Sequence, residues 1–188
     1  MDFRIPIGPL ISILFLAGDI IQAQTPNNDH LQANNFAVGI STGHYGYDPT
    51  AGINITSPSF LRNHFSLRLQ AGLHGSEAYK SSYRHWASYQ SYSLGIEYHT
   101  NIIDKARFYM EFGMLAILPD SRFSEKRYLQ GVYQFNGLEV FFLNTGRYAA
   151  GLYLGVGPTF IKAYAEKLER SPRYGNGIFY VTGLRFYF

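Results

Sequence analysis

Two short segments place a serine two residues after a histidine: His64-Phe-Ser66 and His74-Gly-Ser76, the second followed directly by Glu77. A serine hydroxyl becomes a nucleophile when a histidine accepts its proton and a carboxylate orients that histidine. In an extended chain, side chains two positions apart point to the same face, so His74 and Ser76 share a face while Glu77 points away. His74, Ser76 and Glu77 are therefore the candidate catalytic set, and the placement of the carboxylate argues against hydrolysis.

The sequence offers little support for other reactive chemistry. None of the six histidines has a second metal ligand at a recognised spacing, so we expect no metal site and no cofactor. The absence of cysteine excludes disulfides, thiol catalysis and anchoring through a lipidated N-terminal cysteine. A formal net charge of +3 is too small and too dispersed to indicate nucleic-acid binding.

The first residues have the pattern of an export signal. Arg4 precedes the apolar stretch 10–18, and small residues that suit cleavage follow. Asp2 and Asp19 weaken this pattern, but the apolar stretch is too short for a membrane-spanning anchor helix. We therefore expect a signal peptide at 1–23, a short polar segment at 24–34 and the folded domain at 35–188.

After this segment, apolar and polar residues alternate at period two, which is typical of β-strands with one apolar face. The clearest case is the third segment, where Leu67 and Leu69 alternate with Arg68 and Gln70. No run approaches the roughly 20 apolar residues of a transmembrane helix. We predict eight strands, at about 35–44, 50–59, 65–74, 86–99, 106–118, 128–143, 147–165 and 175–188.

Two of these strands depart from the regular pattern. Strand two has the weakest apolar face. In strand six, Tyr133 and Phe135 are out of phase with the apolar residues that follow. A β-bulge at Asn136-Gly137 would restore the phase, and a hairpin at the same dipeptide is the alternative. We prefer the bulge, because a hairpin would leave too few residues before the next turn.

The connections between the predicted strands fall into two classes. Those after strands two, four and six are short, whereas those after strands three, five and seven are longer and more charged. The first connection, at 45–49, belongs to the long class by parity but is itself short. Short turns at one end and long loops at the other are typical of outer-membrane barrels. The short connections are 60–63, 100–105 and 144–146, and the long ones are 75–85, 119–127 and 166–174.

The last strand ends Leu184-Arg-Phe186-Tyr-Phe188 and so resembles the C-terminal strand of bacterial outer-membrane β-barrels. With the export signal, the eight strands and the loop asymmetry, the whole mature chain is similar to the small OmpA/OmpX-type barrels. This resemblance implies an all-β, eight-stranded antiparallel up-and-down transmembrane barrel in the outer membrane of a Gram-negative cell. It also implies contact with membrane lipid and lipopolysaccharide, and recognition of Phe186 and Phe188 as the signal for the barrel-assembly machinery.

The resemblance carries no catalytic residues, so alternatives remain open. Lipid A 3-O-deacylases are also eight-stranded barrels that use a His, Ser and Glu set, but the Asn that follows the Ser in their motif is missing after Ser76. We expect a structural or surface-binding role. The alternatives are a lipid A-modifying enzyme, either deacylase or acyltransferase, and a conduit for small hydrophobic solutes.

Strand parity turns six charged side chains toward the lumen, three of each sign. An unpaired buried ion is destabilising by several kcal/mol, so these charges must pair. An eight-stranded barrel is just wide enough for its own side chains, which favours a filled lumen over a pore. Parity predicts the facing of these residues but not their partners. The six are Arg68, Arg107, Arg185, Glu97, Glu111 and Glu139.

The predicted long loops carry many basic residues, with tyrosines and the single tryptophan nearby. Cations at this level can pair with lipid phosphates, and aromatic side chains favour the membrane interface. We therefore expect a rim that contacts lipid headgroups, with an unknown extracellular ligand as the alternative. The basic residues are Lys80, Arg84, Arg122, Lys126, Arg127, Lys167, Arg170 and Arg173.

Overall fold

The computed structural model of the protein describes residues 35–46, 48–80, 83–103, 105–145, 148–168, 171 and 173–188, with side chains for all of these except 77–80 and 83–87. Its strands form one closed antiparallel barrel in chain order, in which the last strand pairs with the first. The strands are β1 Ala37–Tyr45, β2 Asp48–Thr56, β3 Phe65–Lys80, β4 Tyr83–Ile103, β5 Ala106–Pro119, β6 Leu129–Asn144, β7 Ala149–Ile161 and β8 Gly177–Tyr187. Within these ranges, no helix is long and apolar enough to cross a membrane.

The alternation of the sequence decides which side chains face outward. In β3, Leu67 and Leu69 are exposed on the outer wall, whereas Ser66 and Arg68 are buried in the interior. The same alternation runs through the other strands, so most large apolar residues lie outside and many polar and charged residues lie inside. Closure leaves no unpaired sheet edge. The predicted all-β, eight-stranded antiparallel barrel is therefore confirmed.

The prediction of a long loop at 75–85 is wrong. β3 continues to Lys80, β4 begins at Tyr83, and the two strands stay paired up to these residues. Residues 75–85 are mostly polar or small on both faces, so the period-two signal disappears although the strand continues. A polarity pattern can only report a strand where its two faces meet different surroundings.

The prediction of a β-bulge at Asn136-Gly137 is also wrong, and no hairpin forms there. β6 pairs with β5 in one unbroken register from 106 to 117, and the irregularity between β6 and β7 lies instead between Phe141 and Leu143. Tyr133 and Phe135 are buried in the interior, on the same face as Glu139. The apparent loss of phase arose because these two aromatic residues face inward rather than outward.

β2 and β7 each end several residues before the predicted end. β2 runs from Asp48 to Thr56 rather than to residue 59, and residues 61–63 form a turn in which Leu61, Arg62 and Asn63 have φ of 47°, 60° and 63°. β7 ends at Ile161 rather than at residue 165, so the connection to β8 is longer than predicted. Both shortened strands therefore lengthen the loops that follow them.

Candidate functional site

Six charged side chains lie inside the barrel near the end where β1 begins and β8 finishes, which we call the terminal end. They are supplied by five strands, because the alternation turns every second residue inward. Three are cationic and three are anionic, so the set is electrically neutral. Each is at most 2% exposed, and together we call them the ion-pair cluster: Arg68, Arg107, Arg185, Glu97, Glu111 and Glu139.

Each arginine of the ion-pair cluster has one close carboxylate. Arg68 Nη1 lies 3.0 Å from Glu111 Oε2, and Arg107 Nε donates to Glu139 Oε2 over 2.8 Å. Arg107 and Glu139 are also directly opposite each other in the β5–β6 register.

The third arginine makes the most regular pair. Arg185 donates from Nη1 and Nη2 to the two oxygens of Glu97, each over 3.1 Å. This two-pronged geometry is the arrangement in which a guanidinium binds a carboxylate best.

Longer contacts join the three pairs into one network. Arg185 lies 3.4 Å from Glu139, and Glu97 lies 3.6 Å from Arg68 and 3.8 Å from Arg107. Ions in a water-poor interior are stable only when the geometry is good and the remaining lone pairs are satisfied. Each of the six charges therefore has an oppositely charged partner within 3.1 Å.

Tyrosines complete the ion-pair cluster. Tyr133 donates a short hydrogen bond to Glu111, and Tyr187 donates to Glu139 over 2.9 Å while accepting from Arg107 and Arg185.

The ring of Tyr153 lies between two of the arginines. Its centroid is 4.9 Å from the guanidinium carbon of Arg68 and 5.0 Å from that of Arg185. Among the described residues, Nε and Nη2 of Arg68 and Nε of Arg185 have no hydrogen-bond acceptor, so the π face of Tyr153 is the partner that these cations meet.

An aromatic layer lies beside the ion-pair cluster, toward the opposite end of the barrel, which we call the loop end. Phe179 stacks on Tyr45 with ring centroids 4.6 Å apart and lies 4.2 Å from Phe135. Glycine is needed beside this layer, because a Cβ at Gly155 would lie 2.6 Å from Tyr109 Oη. The residues of the layer are Tyr45, Tyr109, Tyr133, Phe135, Tyr153 and Phe179.

His74 faces the interior near the loop end, but it contacts a serine other than the predicted one. Its Nε2 lies 2.6 Å from Ser91 Oγ, and its ring stacks on Tyr89 with centroids 4.5 Å apart. Ser76 lies near Asp48 instead. The side chain of Glu77 lies outside the described residues.

The carboxylate near this histidine does not orient it. Asp48 accepts from Tyr89 Oη over 2.7 Å, while Nδ1 of His74 has no hydrogen-bond partner among the described residues. His74 and Ser91 are each 3% exposed. A nucleophilic serine needs an oriented histidine and access to substrate, and this pair has neither.

Sequence reasoning missed Ser91, Tyr89 and Asp48, which lie on strands whose register with β3 the alternation cannot predict. In the other pattern, His64-Phe-Ser66, the histidine also has a different partner. His64 Nδ1 lies 3.2 Å from the carbonyl oxygen of His99, while Ser66 is buried in the interior. Within the part of the chain that the structure describes, no group of three His, Cys, Asp or Glu residues could hold a metal ion.

The described residues 120–128 and 162–168 contact each other at the loop end. Ser124 donates to Glu166 over 2.9 Å, and the Lys167 ammonium donates to the Ser121 carbonyl over 2.7 Å. Phe123 and Leu168, one from each segment, are buried. A cavity of about 20 Å³, roughly the space of one water molecule, lies beside them.

The predicted basic residues of the rim have different surroundings. Arg122 pairs with Asp120 over 2.5 Å, and its hydrogen bonds hold the pKa of Asp120 below the usual value. Arg173 lies over the Tyr164 ring at 5.4 Å. Lys126 and Arg127 are exposed at the same end. The side chains of Lys80 and Arg84, and all of Arg170, lie outside the described residues.

The closed barrel and its contents can be compared with known proteins. The N-terminal β-barrel domain of Pseudomonas aeruginosa OprF superposes with a TM-score of 0.54 and 16% identity, over 82% of this chain and 98% of that one. The chain has the fold of that barrel domain. Ail, the attachment invasion locus protein of Yersinia pestis, gives a TM-score of 0.43 and 11% identity over 81% of this chain and 96% of that one. No protein-family model matches the sequence, and no curated protein matches it significantly.

Proposed function

We propose that this protein is an integral outer-membrane β-barrel with a filled lumen and a structural or surface-binding role. The outer wall supports the membrane location. Apolar side chains are exposed on all eight strands, and the closed ladder leaves no backbone edge for lipid to meet. In a soluble protein so large an apolar surface would promote aggregation. By analogy with barrels of this kind, the terminal end faces the periplasm and the loop end faces outward.

The observation that carries the proposed filled lumen is the ion-pair cluster. Its six side chains are buried and bonded to one another across the interior, and the aromatic layer lies directly above. The contacting segments 120–128 and 162–168 at the loop end add a third obstruction, because Phe123 and Leu168 are buried there. Each of these layers opposes a conduit for solutes or ions.

The rim supports contact with lipopolysaccharide. Lys126 and Arg127 are exposed at the loop end, beside loops that carry further cations. Lipid phosphates attract cations at this level, so a layer of anionic headgroups would suit this rim. A surface ligand with phosphate or carboxylate groups would meet the same side chains.

Assembly is the remaining part of the proposal. Phe188 donates its backbone N–H to the Phe36 carbonyl over 3.0 Å, next to the seam where β8 pairs with β1. Its ring packs edge-on against Tyr148 at 6.2 Å. An assembly factor that binds the last strand would contact a residue at the closing seam, which suits Phe186 and Phe188 as its signal.

Planar-bilayer recording tests the filled lumen. Purified wild-type protein, inserted and checked for its heat-modifiable folded band, should give no sustained conductance. A porin inserted under the same conditions is the positive control. Stable conducting steps from folded wild-type protein would contradict the filled lumen, and failure to insert or to fractionate with the outer membrane would contradict the membrane location.

A lipid A-modifying enzyme is the second candidate, favoured by one observation. His74 and Ser91 are 2.6 Å apart, within reach for proton transfer. Their burial and the engagement of Asp48 by Tyr89 oppose it. Mass spectrometry of lipid A from cells with and without the protein decides the matter, since a difference in acylation that disappears in Ser91→Ala would establish the enzyme.

A further inference from the structure

Two carboxamide side chains lie on the outer wall at the middle of a strand. Gln134 and Asn136 are the central outward-facing residues of β6, which runs from Leu129 to Asn144. They alternate with the buried, inward-facing Phe135, and both are partly exposed. We call Gln134 and Asn136 the amide patch.

The amide patch interrupts an otherwise apolar surface. Along β6 it is flanked by Val132 and Leu138, which are both exposed. On β5 the residues directly opposite are Phe112 and Met110. On β7, Val156 lies opposite Asn136 and is exposed as well. The amides are therefore surrounded by the side chains that would face lipid hydrocarbon, rather than placed at the edge of that zone.

Two outward-facing threonines, by contrast, bond within the barrel wall. Thr182 donates to the Tyr153 carbonyl over 3.2 Å, and Thr42 donates to the Thr50 carbonyl over 3.0 Å. Gln134 and Asn136 make no side-chain hydrogen bond within the described residues. In hydrocarbon, a polar group without a partner is destabilising by several kcal/mol.

The backbone beside the amide patch is irregular. The β6–β7 register passes from Tyr133–Thr159 to Asn136–Val156 without pairs at Gln134 and Phe135. The residue opposite Gln134 is Pro158, which has no N–H to donate to the ladder. The amide patch thus lies on the outer wall at a gap in the β6–β7 ladder.

We infer that the amide patch is the centre of a contact between two copies of this chain within the membrane. A carboxamide both donates and accepts, so the same group on a second copy complements it. Two copies related by a two-fold axis through the patch would bring each Gln134 and Asn136 to the same groups of the partner. Hydrogen bonds of this kind join membrane-embedded segments, because lipid offers no alternative partner.

The inference rests on the proposed membrane location, and cysteine cross-linking of inserted protein tests the two separately. Since the chain has no cysteine, one introduced thiol is a unique reporter. Leu138→Cys puts it next to the amide patch and leaves both amides intact. Ile53→Cys is the matched control, because it is also outward-facing at mid-strand but lies on β2, four strands from β6. Oxidation in lipid vesicles should give a disulfide-linked dimer from Leu138→Cys and little from Ile53→Cys.

The amides themselves are tested in the Leu138→Cys background. Gln134→Met and Asn136→Leu together keep the side-chain size, remove the hydrogen bonds and leave a wall that lipid should accept at least as well. Removing two or more hydrogen bonds across the contact should weaken association roughly tenfold, measured by energy transfer between labelled copies as the lipid-to-protein ratio rises.

Each possible result either supports or contradicts the proposed dimer. A cross-link specific to Leu138→Cys and lost in the Gln134→Met, Asn136→Leu variant supports the dimer. Protein that inserts and shows its folded band but stays monomeric, cross-links equally at Ile53, or associates equally without the amides would overturn it while leaving the membrane location intact. Protein that does not insert contradicts the proposed function itself.

Discussion

Removing one charge of the ion-pair cluster should destabilise the barrel unless its partner is removed too. Arg68 and Glu111 form the most separable pair: Arg68 Nη1 lies 3.0 Å from Glu111, and no other arginine lies within ion-pair distance of that carboxylate among the described residues. Among the residues that the structure describes, Arg68→Met would leave Glu111 buried with only the Tyr133 hydroxyl as donor. Glu111→Gln would leave Arg68 with Glu97 at 3.6 Å.

The contacts of Arg68 and Glu111 predict which variant loses more stability. Leaving a charge buried without its partner is destabilising by about 3–5 kcal/mol, so Arg68→Met should lower the free energy of unfolding by that amount. Glu111→Gln should lie at the lower end, because Arg68 keeps a second carboxylate. The double variant restores a neutral cluster of two arginines and two glutamates. Its loss should fall short of the sum of the single losses by about 2–3 kcal/mol.

Denaturant unfolding of the folded barrel in detergent micelles measures these free energies, with far-UV circular dichroism and the unheated gel band as independent probes. Arg107→Met combined with Glu111→Gln is the control, because Arg107 pairs with Glu139 and not with Glu111. That combination should couple less strongly than Arg68→Met with Glu111→Gln, because Arg107 and Glu111 share a network only through Glu97 and Arg68. Strict additivity of Arg68→Met and Glu111→Gln, or equal coupling in the control, would refute the assigned partners.

Three further changes probe other parts of the barrel. Leu69→Arg places a charge in the exposed apolar wall and should lower the free energy of unfolding in lipid by about 2–4 kcal/mol, whereas Leu69→Met should change it little; equal folding yields of the two variants would contradict the outward facing. Deletion of Phe188 should reduce the folded band in the outer membrane without reducing export, and equal band intensities would disprove its role in assembly. Gly155→Ala should destabilise the barrel, because its Cβ would lie 2.6 Å from Tyr109 Oη; an unchanged unfolding midpoint would show that the aromatic layer can shift.

The alternation of apolar and polar residues along a strand predicts which side chains point outward and which point inward. It does so best where the two faces of the strand have different surroundings. In β3, Leu67 and Leu69 lie outside and Arg68 lies inside, as the period-two pattern indicates. In β6 the pattern misleads, since Tyr133 and Phe135 are as apolar as lipid-facing residues yet fill the interior. A lumen lined with aromatic rings weakens the very contrast on which the prediction depends.

Which side chains contact each other is harder to predict than which way each one points. The contacts depend on the register of the strands and on the curvature of the barrel. Parity places His74 and Ser76 on one face, but the β3–β4 register brings Ser91 within 2.6 Å of His74 instead. The partner of Arg68 is likewise on β5, two strands away, where no local sequence pattern could identify it. Contacts across a lumen join residues whose separation in sequence carries no signal.

The proposed filled interior restricts where a barrel of this kind can act. Its buried charges are paired with one another, and the rings of Tyr153 and Tyr187 lie against guanidinium groups. A solute inside the barrel would have to replace these contacts in order to bind. The groups that can still bind a partner lie on the outside of the barrel. They are the carboxamides of Gln134 and Asn136 on β6 and the exposed cations of the loop end. Partners of this protein are therefore to be sought along its wall, among membrane-embedded neighbours, and at its rim, among anionic headgroups.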